Sequence, residues 1–256
     1  MYDSLNDVLE EYGCNLSKFL NSNTLNQIIT NFNNIVNVDS VKYITCKDDT
    51  GIFVLVTTRY VIKVYNIKTY LKIVDIYNKL WRNNNHGNIF NHIEKIYYYF
   101  STVDGIVVHN TYYYNNIIKN LGTTHLTINE ILVPLFPKFN KTNVIWNYDN
   151  TKKLLIDTSL GLIELHRLGI IHGDTTPDNM GLRLSDNNFV LYDFGDAYEG
   201  SDYKSDVIRF LNSVIISYKN FFADNIDKIE QIKNTIDKNK NYGISDFYDT
   251  IIDVFV

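Results

Sequence analysis

Three side chains that could hold a metal ion and move a proton lie between residues 170 and 200 of this 256-residue chain. Asp174 and Asn179 are five positions apart, a spacing that lets one loop present a carboxylate and an amide to the same site. Asp193 follows the segment MGLRLSDNNFVLYD, which predicts a hairpin that returns the chain beside its start. Phosphoryl transfer requires oxygen ligands for a divalent metal and a carboxylate that positions the attacking hydroxyl. These residue types therefore favour phosphoryl-transfer chemistry.

The first half of the chain predicts helices followed by a sheet. Apolar residues at helical spacing behind capping side chains predict a pair of amphipathic helices within residues 1–38. From Val41 onward, β-rich segments separated by turn residues predict an antiparallel meander. Residues 67–83 return to helical spacing, and a turn at Asp104 predicts a hairpin. An apolar strand within residues 131–139, broken by prolines, ends this half.

The second half of the chain predicts mainly helices. The segment TKKLLIDTSLGLIELHRLG has helical spacing and ends at Gly169, a usual helix stop. Further helices are predicted near residues 203–219, 224–238 and 244–254. A β-rich first half and an α-rich second half predict an α+β fold of two lobes with a cleft between them. The expected parts are an N-terminal helical extension, a β-rich lobe and a reduced α-helical lobe, at residues 1–38, 39–137 and 138–256.

Composition and charge argue against several classes of protein. The net charge is -5 at pH 7 without a basic run, so we expect no dedicated nucleic-acid binding. The two cysteines, Cys14 and Cys46, lack metal-ligand spacing, which argues against a disulfide framework and a structural zinc and favours a reducing, cytoplasmic location. No stretch of about 20 apolar residues is present, so no membrane span or membrane partner is expected.

At two motifs the sequence resembles the protein-kinase superfamily. HGDTTPDN matches the catalytic loop at His172, Asp174 and Asn179, and DFG matches the metal-binding motif that begins at Asp193. The segment YVIKVY resembles the strand that carries a phosphate-pairing lysine, here Lys63. The resemblance implies ATP and Mg²⁺ or Mn²⁺ as cofactors. It implies Asp174 as the base or hydroxyl-positioning group, with Asn179 and Asp193 as metal ligands, and Lys63 as the contact of the α- and β-phosphates.

On the nucleotide side the chain departs from the family pattern. Gly51 is the one glycine where the family has a glycine-rich phosphate lid. The resemblance implies that Gly51, Val133 and Leu135 contact ATP. The helix after Lys63 contains no glutamate to fix the lysine, and Asp75 is the only acid there, a shorter arm for the same task. A second reading of Asp75, as a solvated helix acid, stays open.

Departures in the second half point to a short form of the family. Gly173 and Thr176 stand where conventional members carry arginine and lysine. Little chain separates Gly195 from the predicted helix whose Asp206 would brace the catalytic loop. In this form the chain is similar to the RIO kinases, to the small kinase of the KEOPS complex, and to the aminoglycoside and choline kinases. Because a phosphate-controlled loop needs a flexible segment and an arginine cluster, we predict a site that is assembled without activating phosphorylation.

These observations predict an ATP- and divalent-metal-dependent phosphotransferase, with a Ser/Thr residue of a protein as the leading acceptor. A pseudokinase or an ATP-driven scaffold stays open because the helix glutamate and the glycine-rich lid are missing, although Asp174, Asn179 and Asp193 are intact. A small-molecule kinase also stays open, but such enzymes usually enlarge the second lobe into an acceptor pocket. The N-terminal helices are the expected site for a regulatory partner.

Overall fold

The computed structural model describes most of the chain after residue 146 and selected elements before it. The described residues are 41–47, 52–57, 61–65, 75–80, 82–83, 91–94, 98–101, 107–111, 132–134, 146–183 and 186–255. The predicted helical pair within residues 1–38 lies outside them. Contacts divide the chain into two compact units, of which the second comprises residues 76–94 and 127–256. The expected boundaries at residues 38 and 137 stay predictions.

The first unit contains a five-stranded antiparallel sheet. Its strands are rich in β-branched and aromatic residues, which suit a pleated and half-buried surface. They are β1 (Val41–Lys47), β2 (Ile52–Thr57), β3 (Val61–Tyr65), β4 (Tyr98–Ser101) and β5 (Val107–Thr111). Their order is β1-β2-β3-β5-β4, with every neighbouring pair antiparallel. The sheet confirms the predicted meander and the pairing of the two strands on either side of residue 104.

Between β3 and β4 the chain is helical at residues 75–80 and 82–83. The prediction of a helix over residues 67–83 is confirmed at these positions. Ile76, Tyr77 and Leu80 are buried, whereas Asp75 is exposed. This distribution is that of an amphipathic helix with one face on the core.

The second unit contains two small antiparallel sheets. Their strands are β6 (Leu132–Pro134), β7 (Ile170–Ile171), β8 (Met180–Arg183), β9 (Phe189–Leu191) and β10 (Tyr198–Glu199). One sheet has the order β6-β8-β9, and the other pairs β7 with β10. The β8–β9 pair is the hairpin predicted between Asn179 and Asp193. On the other side of β9, the Leu191 amide donates to the His92 carbonyl at 2.9 Å and the Glu94 amide donates to the Leu191 carbonyl at 2.8 Å.

Four helices of the second unit are described in full. They are α1 (Tyr148–His166), α2 (Tyr203–Ser217), α3 (Ile226–Lys238) and α4 (Asp246–Val254). Asn147 caps α1, because its side-chain oxygen accepts a hydrogen bond from the Asn150 amide at 2.9 Å. Each of the last three helices begins and ends within two residues of its predicted bounds. Within the described residues, no helix is both long and apolar enough to cross a bilayer.

The core of the second unit lies between these helices and β9. Helix α3 contributes four buried isoleucines at helical spacing, at residues 226, 229, 232 and 236. Phe210, Phe222 and Phe247 are almost completely buried beside them. Gly161 of α1 allows a close approach, since a Cβ there would lie 2.7 Å from the His92 carbonyl oxygen. The α+β class predicted from the sequence is confirmed.

Candidate active site

The loop that carries Asp174 begins directly after β7 with a buried histidine. The Nε2 atom of His172 lies 3.0 Å from the Tyr192 carbonyl oxygen, and its Nδ1 lies 3.3 Å from the Asp174 amide. The tautomer protonated at Nε2 satisfies both contacts. The imidazole also packs against the Phe194 ring, with 5.2 Å between centroids. His172 therefore connects the start of the loop to the segment around Asp193.

The Asp206 carboxylate of α2 holds this loop in place. It accepts hydrogen bonds from the backbone amides of His172 and Gly173 at 2.8 and 2.9 Å. It also accepts one from the Thr175 hydroxyl at 3.0 Å, and His166 Nε2 lies 3.0 Å from it. Asp206 is 1% exposed, so these partners replace water. The brace that the sequence predicts for this loop is confirmed.

Asp206 is a carboxylate in this environment. Burial alone would raise its pKa by disfavouring the charged form. The hydrogen bond from His166 and those from the backbone amides of His172 and Gly173 outweigh burial. Together they hold the pKa of Asp206 below its usual value of 3.8.

Gly173 has a backbone conformation that other residues rarely adopt. Its φ is +78°, in the left-handed region that favours glycine. A Cβ at this position would overlap the Asp196 carbonyl oxygen. The structure therefore gives a local reason why position 173 cannot carry the arginine of conventional kinases.

We expect Gly173→Ala to lower the free energy of unfolding by about 2–4 kcal/mol. The energetic cost of a positive φ in alanine adds to the cost of the overlap between its Cβ and the Asp196 carbonyl oxygen. Urea denaturation of the full chain measures the change. Gly169→Ala is the matched control, since Gly169 has φ +71° but no atom lies within 4 Å of its Cβ position. The control should lose only about 1 kcal/mol. Equal losses in the two variants would show that the overlap with Asp196 is relieved at no cost.

Asn179 is bound directly to Asp174. A short 3₁₀ turn over Pro177–Asn179 brings the two side chains together. The Nδ2 atom of Asn179 donates to the Asp174 backbone carbonyl and to Asp174 Oδ2, both at 2.8 Å. Since the amide nitrogen is engaged, the Oδ1 atom of Asn179 is the end that could ligate a metal. The five-residue spacing therefore brings the Asp174 carboxylate and the Asn179 amide together, as the sequence predicts.

The β8–β9 hairpin brings Asp193 to the same place. The Tyr192 amide donates a hydrogen bond to the Asn179 carbonyl oxygen at 3.0 Å. Asp193 directly follows Tyr192, so its backbone lies next to this contact. Asp193 has a left-handed backbone, with φ 67° and ψ 73°. Such a conformation costs energy in a residue other than glycine and is typical of functional sites. The Asp193 amide donates to Glu94 Oε1 at 3.0 Å, which fixes the start of the Phe194 turn.

Burial and the neighbouring carboxylates change the pKa of Tyr192. Burial raises the pKa of Tyr192 well above its usual value, and the charges of Asp193, Glu94 and Asp178 raise it further. The phenol therefore stays protonated and donates to the Asp178 carbonyl at 2.6 Å. This hydrogen bond connects the far end of the loop that carries Asp174 to the residue after β9.

The residues predicted to contact the nucleotide are only partly described. Lys63 lies on β3, where it opposes Val54 and His109, but its side chain is outside the described set. Asp75 is exposed. Because the lysine side chain is not described, the pairing of Lys63 with Asp75 stays a prediction.

The other residues predicted to contact the nucleotide are also described only in part or not at all. Val133 lies on β6 opposite Leu182, and its side chain is outside the described set. Gly51 and Leu135 also lie outside it. Their contacts with ATP stay predictions.

Two site residues were missed by reasoning from the sequence. Glu94 is 2% exposed and accepts from the Asp193 amide. The sequence held a signal for this residue, because Glu94 is the only acidic residue between residues 76 and 103. Arg209 lies on α2, with one guanidinium nitrogen 3.5 Å from Asp174 Oδ1. Nothing in the local sequence around Arg209 indicates this contact.

The donor atoms at the site fit a hard divalent cation. Asn179 and Asp193 offer amide and carboxylate oxygens, the ligands that Mg²⁺ and Mn²⁺ prefer. Mg²⁺ is usually held by one or two carboxylates, phosphate oxygens and water rather than by a complete protein cage. In the described part of the chain, no three His, Cys, Asp or Glu side chains converge on one point. The residues present therefore suit a metal ion whose remaining ligands are phosphate oxygens and water.

The order of elements agrees with the motifs at the site. The β1-β2-β3-β5-β4 sheet has its helical segment between β3 and β4. The loop with Asp174 and Asn179 then precedes a hairpin that ends at Asp193, and a buried aspartate of α2 braces that loop. This order of elements is the one that the resemblance to the protein-kinase superfamily predicts.

Two solved structures align with this chain at low sequence identity. No family model and no curated protein sequence matches the chain. The structure of WbdD, solved with a kinase inhibitor, aligns with a TM-score of 0.49 and 9% identity over 84% of this chain and 45% of that one. The Cydia pomonella granulovirus kinase PK-1 aligns with a TM-score of 0.43 and 13% identity over 70% of this chain and 60% of that one. The chain thus covers less than two thirds of either of these structures.

Proposed function

We propose that the chain is a kinase that uses ATP and Mg²⁺ or Mn²⁺ to phosphorylate a Ser or Thr residue of a protein. One observation carries the proposal. The Asn179 amide is bound to the Asp174 carboxylate on a loop braced by Asp206, and the hairpin that follows returns Asp193 to that loop. This arrangement combines a hydroxyl-positioning carboxylate with two oxygen ligands for a metal.

In the proposed reaction the acceptor hydroxyl attacks the γ-phosphorus of ATP. A new bond forms between the hydroxyl oxygen and phosphorus, and the bond from phosphorus to the bridging oxygen of ADP breaks. The hydroxyl proton passes to Asp174, and ADP leaves with the bonding electron pair. Asn179 holds the Asp174 carboxylate in position through Nδ2. A bound divalent cation would neutralise phosphate charge, with Asn179 and Asp193 as its protein ligands.

We expect ATP with Mg²⁺ or Mn²⁺ to stabilise the fold by about 2.7 kcal/mol at one hundred times the dissociation constant. Thermal denaturation with ATP alone, metal alone and both together measures this effect. Asp193→Asn should remove the part that depends on metal, because the carboxylate ligand is lost. Asp196→Asn is the matched control, since its exposed side chain lies in the next turn and is no proposed ligand.

A melting temperature that responds to neither ATP nor metal would contradict nucleotide binding and favour a pseudokinase or scaffold. Transfer of labelled phosphate from ATP then distinguishes the acceptors. The purified chain is incubated with generic proteins in one reaction and aminoglycosides in another. Label in proteins supports the proposal, whereas label in aminoglycosides alone would make the chain a small-molecule kinase.

A further inference from the structure

An open groove of about 600 Å³ runs along α2 beside the catalytic loop. We call it the α2 groove. Residues that line it include Gly173, Tyr198, Lys204, Asp206, Arg209 and Asn212. Gly173 precedes Asp174 directly, so the groove borders the carboxylate that the proposed function uses. Its volume is that of a site for a small ligand or a few residues of a peptide.

Two of the charged groups in the α2 groove are already engaged. The Lys204 ammonium donates to the Asp237 and Asn239 carbonyl oxygens at the C-terminal end of α3, at 3.0 and 2.8 Å. The Asp206 carboxylate is buried and holds the catalytic loop. Neither group is therefore positioned to select a ligand.

Arg209 is the cation that the α2 groove presents beside Asp174. One of its guanidinium nitrogens lies 3.5 Å from Asp174 Oδ1, and its side chain is 55% exposed. A guanidinium has five donors, and this is its one ion pair among the described residues. The exposed Asp202 caps the start of the same helix seven residues earlier, about 10 Å away along the axis. The groove therefore has the Arg209 guanidinium and its partner carboxylate Asp174 at one end and the exposed Asp202 at the other.

The two oxygens of Asp174 have different surroundings. Oδ2 accepts from the Asn179 amide, and Oδ1 faces Arg209. An acceptor hydroxyl must approach the carboxylate to about 2.6–3.2 Å, and Oδ1 is the oxygen that remains for it. A second carboxylate, on the acceptor itself, would offer Arg209 a bidentate partner and leave Oδ1 to the hydroxyl. An acidic acceptor would therefore bind more tightly and also free the base.

The spacing of an extended peptide fits this arrangement. Side chains two positions apart lie on the same face of an extended chain, about 6.6 Å from each other. A hydroxyl at Asp174 would place the side chain two residues away in reach of the adjacent Arg209. We propose that the α2 groove binds the acceptor peptide and that Arg209 selects a Ser or Thr with an Asp or Glu two residues away. This inference rests on the proposed kinase function.

The test compares peptides that differ only in the residues two positions on either side of one serine, with Glu, Gln or Lys there. We expect wild-type kcat/KM to favour the Glu peptide over the Gln peptide by about tenfold. Arg209→Gln should bring this ratio to about one, and Arg209→Glu should transfer the preference to the Lys peptide. Arg167→Gln is the control, because it removes an exposed guanidinium at the end of α1, and it should keep the wild-type ratio.

The ratio between peptides separates selection from a structural role. A structural loss at Arg209 would lower the rates for all peptides together and leave the ratio unchanged. Equal use of the Glu and Gln peptides by the wild type, or an unchanged ratio in Arg209→Gln, overturns the inference while the kinase function stands. Absence of transfer from ATP to any peptide or protein overturns the proposed function, and the inference falls with it.

Discussion

Replacement of Asp174 by asparagine is expected to lower the rate of phosphotransfer by about 10²–10⁴-fold. Asparagine keeps the shape of the side chain and an oxygen for the Asn179 amide, which lies 2.8 Å from Asp174 Oδ2. Because an amide oxygen is a very weak base, the variant cannot take the hydroxyl proton. The loss should appear in kcat, measured as labelled phosphate transferred to a protein acceptor at saturating ATP.

The Asp174→Asn variant should still fold and bind ATP with metal. The loop is held by Asp206, and the proposed ligands Asn179 and Asp193 are unchanged. The same stabilisation by ATP and Mg²⁺ as in the wild type checks this point. Asp178→Asn is the control, because it neutralises an exposed carboxylate of the same loop and should keep the rate. An Asp174→Asn rate within a fewfold of wild type would mean that another group acts as the base.

Asp206→Ala is expected to lower the free energy of unfolding by about 3–5 kcal/mol. The substitution leaves the amides of His172 and Gly173 and the Thr175 hydroxyl without their acceptor in a buried place. Each buried donor left without a partner costs about 1–3 kcal/mol. Urea denaturation followed by circular dichroism measures the change.

The control for Asp206→Ala is Asp202→Ala, at the N-cap of the same helix. Asp202 is exposed, and its side chain makes no capping hydrogen bond, so the change should stay within about 0.5 kcal/mol. A loss at Asp206 no larger than the loss at Asp202 would show that water replaces the carboxylate without cost.

The contribution of Asp206 should also depend on pH. Its pKa in the folded chain is lower than its usual 3.8. The carboxylate therefore stabilises the fold fully at pH values above about 4, and this stabilisation is lost as the pH falls through the folded pKa. The difference in unfolding free energy between wild type and Asp206→Ala should be constant from about pH 7 to 5 and shrink below about pH 4. A difference that grew on acidification would contradict this assignment.

Much of the fold follows from periodicity along the chain. The helices α2, α3 and α4 lie where apolar residues recur every three or four positions, because one face of each helix must be buried. The strands of the first sheet follow from β-branched and aromatic runs separated by turns. Their spatial order does not, because β5 follows β4 in the chain but lies between β3 and β4 in the sheet.

The sequence by itself determined the short-range geometry of the site. Asp174 and Asn179 meet through one turn, and a hairpin brings Tyr192 to Asn179 so that Asp193 follows. Contacts of this kind depend on the spacing within one loop or one hairpin. Spacing is present in the chain before any long-range packing.

Only the tertiary structure decided which distant groups complete the site. Glu94 meets the Asp193 amide, and Arg209 meets Asp174, across long separations in the chain. The sequence also showed that position 173 lacks an arginine, but the positive φ of Gly173 and its approach to Asp196 became visible only in the fold. The physical reason is that a buried charge is stable only where donors from several elements converge, and that convergence is a property of packing rather than of spacing.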